Sequence, residues 1–233
     1  MAVLIKNKNF KNQPTQPAQK APFLLMGVAS REAFENEGAK AVLYEAEKGK
    51  LQRFWIPIDK LGDDFRITFL DGDLGFDGWI VCPAWYEHTV YWNGKWRNFI
   101  APNTEIDPIK EMTGKNPRLV AGLSIIDHTE YEVNGGIYTN QKRMFVCTRQ
   151  TLKLLNKIAA KRGGLTGCTF DVSRTQNRSP SVGDLFEFVK KSKLEELAKE
   201  FTPVVTTPVN FSSELTYRTR DELVALLSYW GAQ

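Results

Sequence analysis

The spacing of apolar positions changes period several times along the chain, and each change marks an element. From Leu51 the period is two: Phe54, Ile56 and Ile58 alternate with Arg53, Trp55 and Pro57, and Phe65, Ile67 and Phe69 alternate with Arg66 and Thr68. A strand sends successive side chains to opposite faces, so both stretches are expected as strands. Tyr86 to Trp92 and Lys95 to Phe99 flank Asn93-Gly94, a pair suited to a tight hairpin turn because both residues tolerate positive φ. Asn134-Gly135-Gly136 predicts a second hairpin between Tyr131 to Val133 and Ile137 to Thr139. A strand over Arg143 to Cys147 leads into a helix between Gln150 and Arg162, where Leu152, Leu155, Ile158 and Ala159 recur at helical spacing and Lys153, Lys157 and Lys161 line another, solvated face. Gly163-Gly164 is placed to cap it. Thr169 to Ser173 and Leu185 to Lys190 read as strands, Lys193 to Phe201 as a short amphipathic helix, and Thr202 to Pro208 as a linker. A last helix opens at Thr219-Arg220-Asp221-Glu222, where Thr219 and Glu222 can satisfy each other's backbone donors.

The pattern divides the chain into a flexible basic N-terminal arm over residues 1–22, one domain over 23–201, and a linker with a C-terminal helix over 202–233. The arm carries Lys6, Lys8, Lys11 and Lys20 without an acid, and too few apolar residues to order itself. Arg31 to Gly49 is expected as a helix, or as a helix followed by a strand. No apolar run approaches the roughly 18 residues of a membrane span. Lysines follow Met1 to Ile5 too soon for a secretion signal, which points to a cytoplasmic protein without a membrane partner. Cys82, Cys147 and Cys168 are too scattered for a disulfide framework or a zinc pair, and are expected as small buried apolar residues.

Net charge is only +4, but its distribution is uneven. Thr139 to Lys193 holds twelve Lys or Arg against three acids, a balance of +9, whereas Asp59 to Asp77 holds six Asp against two bases. Such a split suggests a polyanion-binding face beside acidic segments that do not touch the polyanion.

Catalytic chemistry is thinly supplied. Asp71-Gly72-Asp73-Leu74-Gly75-Phe76-Asp77 begins like a calcium loop, but Cys82 stands where the bidentate Glu belongs and Trp79-Ile80-Val81 follows instead of a helix, so a solvated acidic turn is expected. His88 and His128 are the only histidines, and neither a phosphate-cradling glycine loop nor a dinucleotide-binding turn occurs. A protein without enzymatic activity, metal or cofactor is expected.

Aromatic residues are concentrated instead. Eight fall within Phe76 to Phe99, and a strand's alternation cannot bury them all on one face. Exposed rings interleaved with Arg53, Arg66, Lys95 and Arg97 suit single-stranded nucleic acid, whose bases stack while its phosphates meet cations.

The order Arg53-Phe54-Trp55, Ile67-Thr68-Phe69-Leu70-Asp71-Gly72, Tyr86-Glu87-His88, Ile126-Asp127 and Lys142-Arg143-Met144-Phe145-Val146 resembles tailed-bacteriophage single-stranded DNA-binding proteins. Thr151-Leu152-Lys153-Leu154-Leu155, Gly163-Gly164-Leu165-Thr166-Gly167, Phe170-Asp171-Val172-Ser173-Arg174 and Val182-Gly183-Asp184-Leu185-Phe186 continue the likeness, which covers about residues 51 to 193. The resemblance implies a mainly β fold with added helices: an OB-fold-like antiparallel five-stranded barrel whose groove binds single strands. It also implies coating of single-stranded DNA in phage replication, recombination and repair, in the cytoplasm of the bacterial host. Further copies of the protein, and phage replication or recombination proteins, are the other candidate partners. Members often carry zinc-binding Cys-x-x-Cys pairs after the Tyr-Glu-His strand. Asn98 to Leu119 has no cysteine, so zinc is not carried over, and Tyr229-Trp230-Gly231-Ala232-Gln233 is unlike the acidic stretch by which many single-strand binders recruit partners.

The expected groove residues are Arg53, Trp55, Arg66, Tyr86, Trp92, Lys95, Trp96 and Arg97, with Lys142, Arg143, Arg149, Arg174 and Arg178 as phosphate contacts. The rival readings are a binder of RNA or duplex, a phage nuclease or annealing enzyme whose carboxylates meet only in the fold, and a phage interaction or structural protein.

Overall fold

Antiparallel strands built from the period-two runs dominate the computed structural model, which describes residues 49–92, 95–102, 106–133 and 136–228. The expected arm, the element expected from Arg31 on, and the tips Asn93-Gly94 and Asn134-Gly135 lie outside the described residues. The strands are β1 (Phe65–Phe69), β2 (Ala84–Trp92), β3 (Lys95–Ile100), β4 (Arg118–Asp127), β5 (Tyr131–Val133), β6 (Gly136–Tyr138), β7 (Gln141–Thr148), β8 (Cys168–Ser173) and β9 (Leu185–Lys191). The helices are α1 (Pro108–Thr113), α2 (Arg149–Arg162), α3 (Leu194–Glu200), α4 (Pro203–Thr206), α5 (Phe211–Glu214) and α6 (Arg220–Ser228).

Seven strands form one sheet in the order β3-β2-β4-β1-β8-β9, with β7 attached to β4. β4 is the hub. On one edge its start pairs with β2, from Glu87↔Arg118 to Ala84↔Ala121, and its end with β1, from Phe69↔Ile125 to Ile67↔Asp127. On the other edge it carries β7, from Val120↔Thr148 to Asp127↔Gln141. The sheet is therefore larger than the expected five-stranded barrel, and it is open, because β7 and β9 do not pair.

The run from Phe54 to Ile58, expected as a strand, is instead a strap across that opening. Phe54 N–H donates to Met144 O at 2.8 Å and Ile56 N–H to Ser181 O at 2.6 Å. Pro57 has no N–H to continue a ladder, and the chain turns at Ile58–Lys60, leaving Ile58 exposed.

Inside the curled sheet the rings of Phe54, Phe69, Phe145, Phe170 and Phe186 contact one another with centroids 5.3 to 6.3 Å apart. Leu155 and Ala159 of α2 complete this core at the expected helical spacing, and Gly163 caps the helix in the left-handed conformation, φ 65°. A second cluster joins Val90, Trp92 and Phe99 of the β2–β3 hairpin to Ile109 of α1 and Leu223 and Leu226 of α6. The C-terminal helix thus docks in cis.

The stretch expected as a linker is partly helical, with Pro203 opening α4, a position where its missing N–H is no loss. Beyond it, Val209 and Phe211 pack on Met144 and Trp85 across the outer face of β4 and β7, where Val209 N–H donates to Ser124 Oγ at 2.8 Å.

Candidate nucleic-acid interface

The strap, the β2–β3 hairpin and the C-terminal segment border a groove of about 570 Å³. Lys50 to Arg53 form its floor, Trp96 to Asn98 and Ile100 one wall, and Glu214 to Thr216 with Arg218 the other. Its rings follow from hairpin register. Tyr91 pairs with Trp96 and Trp92 with Lys95, so Tyr91 and Trp96 share one face and Trp92 takes the other. Tyr91 and Trp96 meet edge to face, with centroids 5.3 Å apart, and Trp96 is 69% exposed. Trp96 lines the groove, and Tyr91 braces its ring from outside the lining.

The groove's electrostatics are anchored from below by Glu87, which is fully buried. Its carboxylate pairs with Arg53 at 2.8 Å and Arg118 at 3.2 Å and accepts Trp85 Nε1–H at 3.2 Å. A buried carboxylate persists in a low-dielectric site only when so compensated, and the consequence is a fixed position for Arg53. The groove lining includes Lys50, Arg53, Arg97 and Arg218 with a single carboxylate, Glu214, which accepts Leu51 N–H at 2.8 Å; Arg97 stands on the Val90 and Phe99 face of the hairpin, and Arg218 is buried with its guanidinium 5.8 Å from the centroid of the Phe99 ring.

The expected site residues separate into groups. Arg53, Trp96 and Arg97 line the groove. Lys142 and Arg143 line an adjoining hollow that shares Lys50 to Gln52 with it. Trp55 is exposed at the far end of the strap, where Arg174 donates to Ile56 O at 3.4 Å and to Asn177 O at 2.6 Å, and Arg178 is exposed in the same β8–β9 loop. Lys95 and Tyr86 are exposed but lie outside the groove lining. Arg66 is held away from it on β1 by two 2.8 Å bonds to Asp171, and Arg149 is exposed at the start of α2. Trp92, expected in the groove, is instead buried: it is 3% exposed, packed against Phe99 beneath α6, and offers no face to a base.

The basic stretch from Thr139 to Lys193 does not make one surface. Lys191 caps the end of α2 by donating to the carbonyls of Arg162, Gly163 and Gly164 at 2.8 to 3.2 Å, Arg143 pairs with buried Asp127, and Lys153, Lys157 and Lys161 point to solvent as expected. Sequence reasoning missed Lys50, Tyr91 and Arg218. Tyr91 was findable, since a two-residue turn puts it opposite Trp96, whereas Arg218 reaches the site only through the fold.

The acidic turn is not wholly solvated. Asp73 and Asp77 are exposed, but Asp71 turns inward to accept Ser124 N–H at 2.9 Å and Ser124 Oγ–H at 2.5 Å, and burial raises its pKa. Cys147 and Cys168 are buried and Cys82 half-buried. Burial pushes all three thiols up, Cys147 to about 12, which keeps them protonated and unreactive at neutral pH. Among the described residues no cluster of three His, Cys, Asp or Glu is placed to hold a metal ion, and no helix is long and apolar enough to cross a membrane. In comparisons with known proteins, no family model and no curated sequence matches the chain.

Proposed function

We propose that the protein binds and coats single-stranded DNA with little sequence preference, as a non-enzymatic factor in phage DNA replication, recombination and repair within a bacterial host. The observation that carries this reading is the exposed Tyr91–Trp96 pair, of which Trp96 lines a groove together with Lys50, Arg53 and Arg97. Every base has a face to stack on a ring, and cations along a groove track the phosphates.

Strand order supports the same reading. β1, β4, β7, β8 and β9 pair as β1–β4, β4–β7, β1–β8 and β8–β9, with α2 between β7 and β8. An OB-fold is a five-stranded, partly open barrel that binds oligonucleotides on the face of its second and third strands and on the loops after its first and fourth. We take these as its five strands. The β2–β3 hairpin then belongs to the loop after the first, and Arg174 and Arg178 to the loop after the fourth. Segment 207–216 covers part of the outer face of β4 and β7, which directs a bound strand along the groove beside it.

Titration with oligo-dT tests the proposal. Tryptophan emission is expected to be quenched, and neutralising about four to six phosphates gives a log–log salt slope of roughly −3 to −4 for a single strand. A slope near zero, or stronger binding to duplex, overturns it.

A further inference from the structure

We infer that the β5–β6 hairpin carries a second base-stacking subsite, with Tyr138 as its ring and Lys50 and Lys142 as its phosphate contacts. The inference rests on the single-strand reading above and extends it to a part of the molecule that neither the aromatic run nor the Trp96 platform includes.

The subsite is a hollow of about 310 Å³ that shares Lys50 to Gln52 with the main groove. Two tyrosines and three cations line it, and no carboxylate does. Tyr131 and Tyr138 are directly opposed across the hairpin, so both rings stand on the same face, while Ile137 and Glu132 take the other. Tyr131 is committed to structure: its hydroxyl donates to Asp127 at 2.6 Å, and the Arg143 guanidinium lies over its ring, 4.5 Å from the centroid. Tyr138 is half exposed. Its ring leans over Gly136, where an added Cβ would come within 3.1 Å, so the absence of a side chain there lets it lie against the backbone.

The base of the hairpin is built to hold that ring still. Buried Asp127 takes Arg143 at 2.9 Å as well as the Tyr131 hydroxyl, and Arg143 also donates to Gln52 at 2.8 Å, fixing the hairpin to the strap. On the other side His128 Nδ1 donates to Asn140 Oδ1 at 2.7 Å while its Nε2 and Thr68 Oγ1 share a hydrogen bond of 2.8 Å. Asn140 is the one described non-glycine residue at positive φ, 54°, where the chain returns into β7. A platform needs such anchoring, because a loosely held ring loses in ordering entropy what stacking gains. The cations are different in kind. Lys142 donates to Thr207 O at 3.1 Å and Lys50 to Ser213 O, so both hold their ammonium groups with neutral carbonyls and keep their charge for a phosphate.

The test uses the full chain with oligo-dT of four and sixteen nucleotides, the range covered by one OB-fold. Tyr138→Ala is expected to weaken binding of the sixteen-mer by about five- to a hundredfold, the loss of one stacked base, and to leave the four-mer, seated at Trp96, within about twofold. Tyr138→Phe keeps the ring and is expected to bind both like the parent. A sixteen-mer carrying 5-iododeoxyuridine is expected to photocrosslink to Tyr138. If Tyr138→Ala binds the sixteen-mer normally and no crosslink reaches the hairpin while Trp96→Ala loses affinity, the second subsite is refuted and the single-strand reading stands. Equal losses on both lengths also refute it, in favour of one undivided site. If the parent binds neither oligonucleotide, the single-strand reading itself has failed.

Discussion

Gly122, midway along β4, provides a sharp test of how the groove's C-terminal wall is seated. A Cβ placed there would stand 2.5 and 2.7 Å from two ring carbons of Phe211 and 2.9 Å from Trp85 Cη2. Non-bonded carbons rest about 3.5 to 4.0 Å apart, so the overlap is on the order of 1 Å. Neither ring can yield cheaply, because Phe211 is buried and packs on Trp85 with centroids 5.8 Å apart. Overpacking costs about 1 to 3 kcal/mol, and a clash with two rings places Gly122→Ala near 3 kcal/mol. At about 2 to 4 °C per kcal/mol for a chain of this size, Tm falls by roughly 6 to 12 °C. Phe211→Ala is itself costly, about 3 to 5 kcal/mol, but it removes two of the three clashes. In that background Gly122→Ala is expected to cost about 1 kcal/mol, a coupling of about 2 kcal/mol measurable by denaturant or thermal unfolding of the four proteins. Equal costs in both backgrounds, or less than about 0.5 kcal/mol in the parent, would refute the seating of Phe211 on β4. The same segment supplies Glu214 to Thr216 to the groove, so Gly122→Ala is also expected to weaken oligo-dT binding below its Tm.

Trp96→Ala is expected to cost about 1 to 3 kcal/mol of oligo-dT affinity with little change in Tm, whereas Trp92→Ala costs about 3 to 5 kcal/mol of stability; reversed outcomes would mean that the hairpin register is wrong. Ending the chain before Arg220 exposes Val90, Trp92 and Phe99, and is expected to lower Tm and promote aggregation; an unchanged melting curve would show that α6 does not hold the hairpin. Burial raises the Asp184 pKa, but bonds from Thr175 and Ser179 outweigh it and leave it lowered; its stabilisation is therefore present above the unfolded carboxylate range and lost as pH falls through the folded value. Asp184→Asn is accordingly expected to lower Tm at neutral pH and to match the parent once the acid limb is passed; an equal deficit at both ends of the pH range contradicts the linkage.

The strands β1 and β8 were legible because Phe65, Ile67 and Phe69, and then Phe170 and Val172, alternate with polar residues in the sequence, and α2 because its buried stripe and glycine cap are both local signals. The hub role of β4 was not. Its residues from Val120 to Asp127 are all buried, so they show no alternation. α1 is six residues long and too short for a periodic stripe, although Asp107, Pro108 and Gly114 stand at its N-cap, first turn and C-cap. The strap escaped because Phe54 and Ile56 alternate as a strand would, while Pro57 stops the ladder. Charge counting failed for a different reason: a stretch of sequence is not a surface, and Lys191, Arg143 and Arg174 serve helix ends, buried carboxylates and loop carbonyls before any ligand.

Which tryptophan faces the solvent is decided by residues distant in sequence. Both Trp92 and Trp96 flank the same turn, and locally either could be the exposed ring. The hairpin joins β4 only through Ala84 to Glu87, so its outer half projects beyond the sheet, and an isolated two-stranded hairpin is marginal in water. One face must therefore be covered. α6 and α1 cover the face of Val90, Trp92 and Phe99, and on that face buried His88 meets Asp107 at 2.7 Å, while the other oxygen of Asp107 accepts the N–H groups of Ile109 and Lys110 at the start of α1. This histidine–aspartate contact ties the start of α1 to β2. A register slip of one residue would exchange the two faces, burying Tyr91 and Trp96 and exposing Trp92. Leu223 and Leu226 hold this register, and α6 acts in cis: it is the backing that keeps the opposite face of the hairpin, with Tyr91 and Trp96, rigid. A partner that captured α6 by the same leucines would have to strip that backing first.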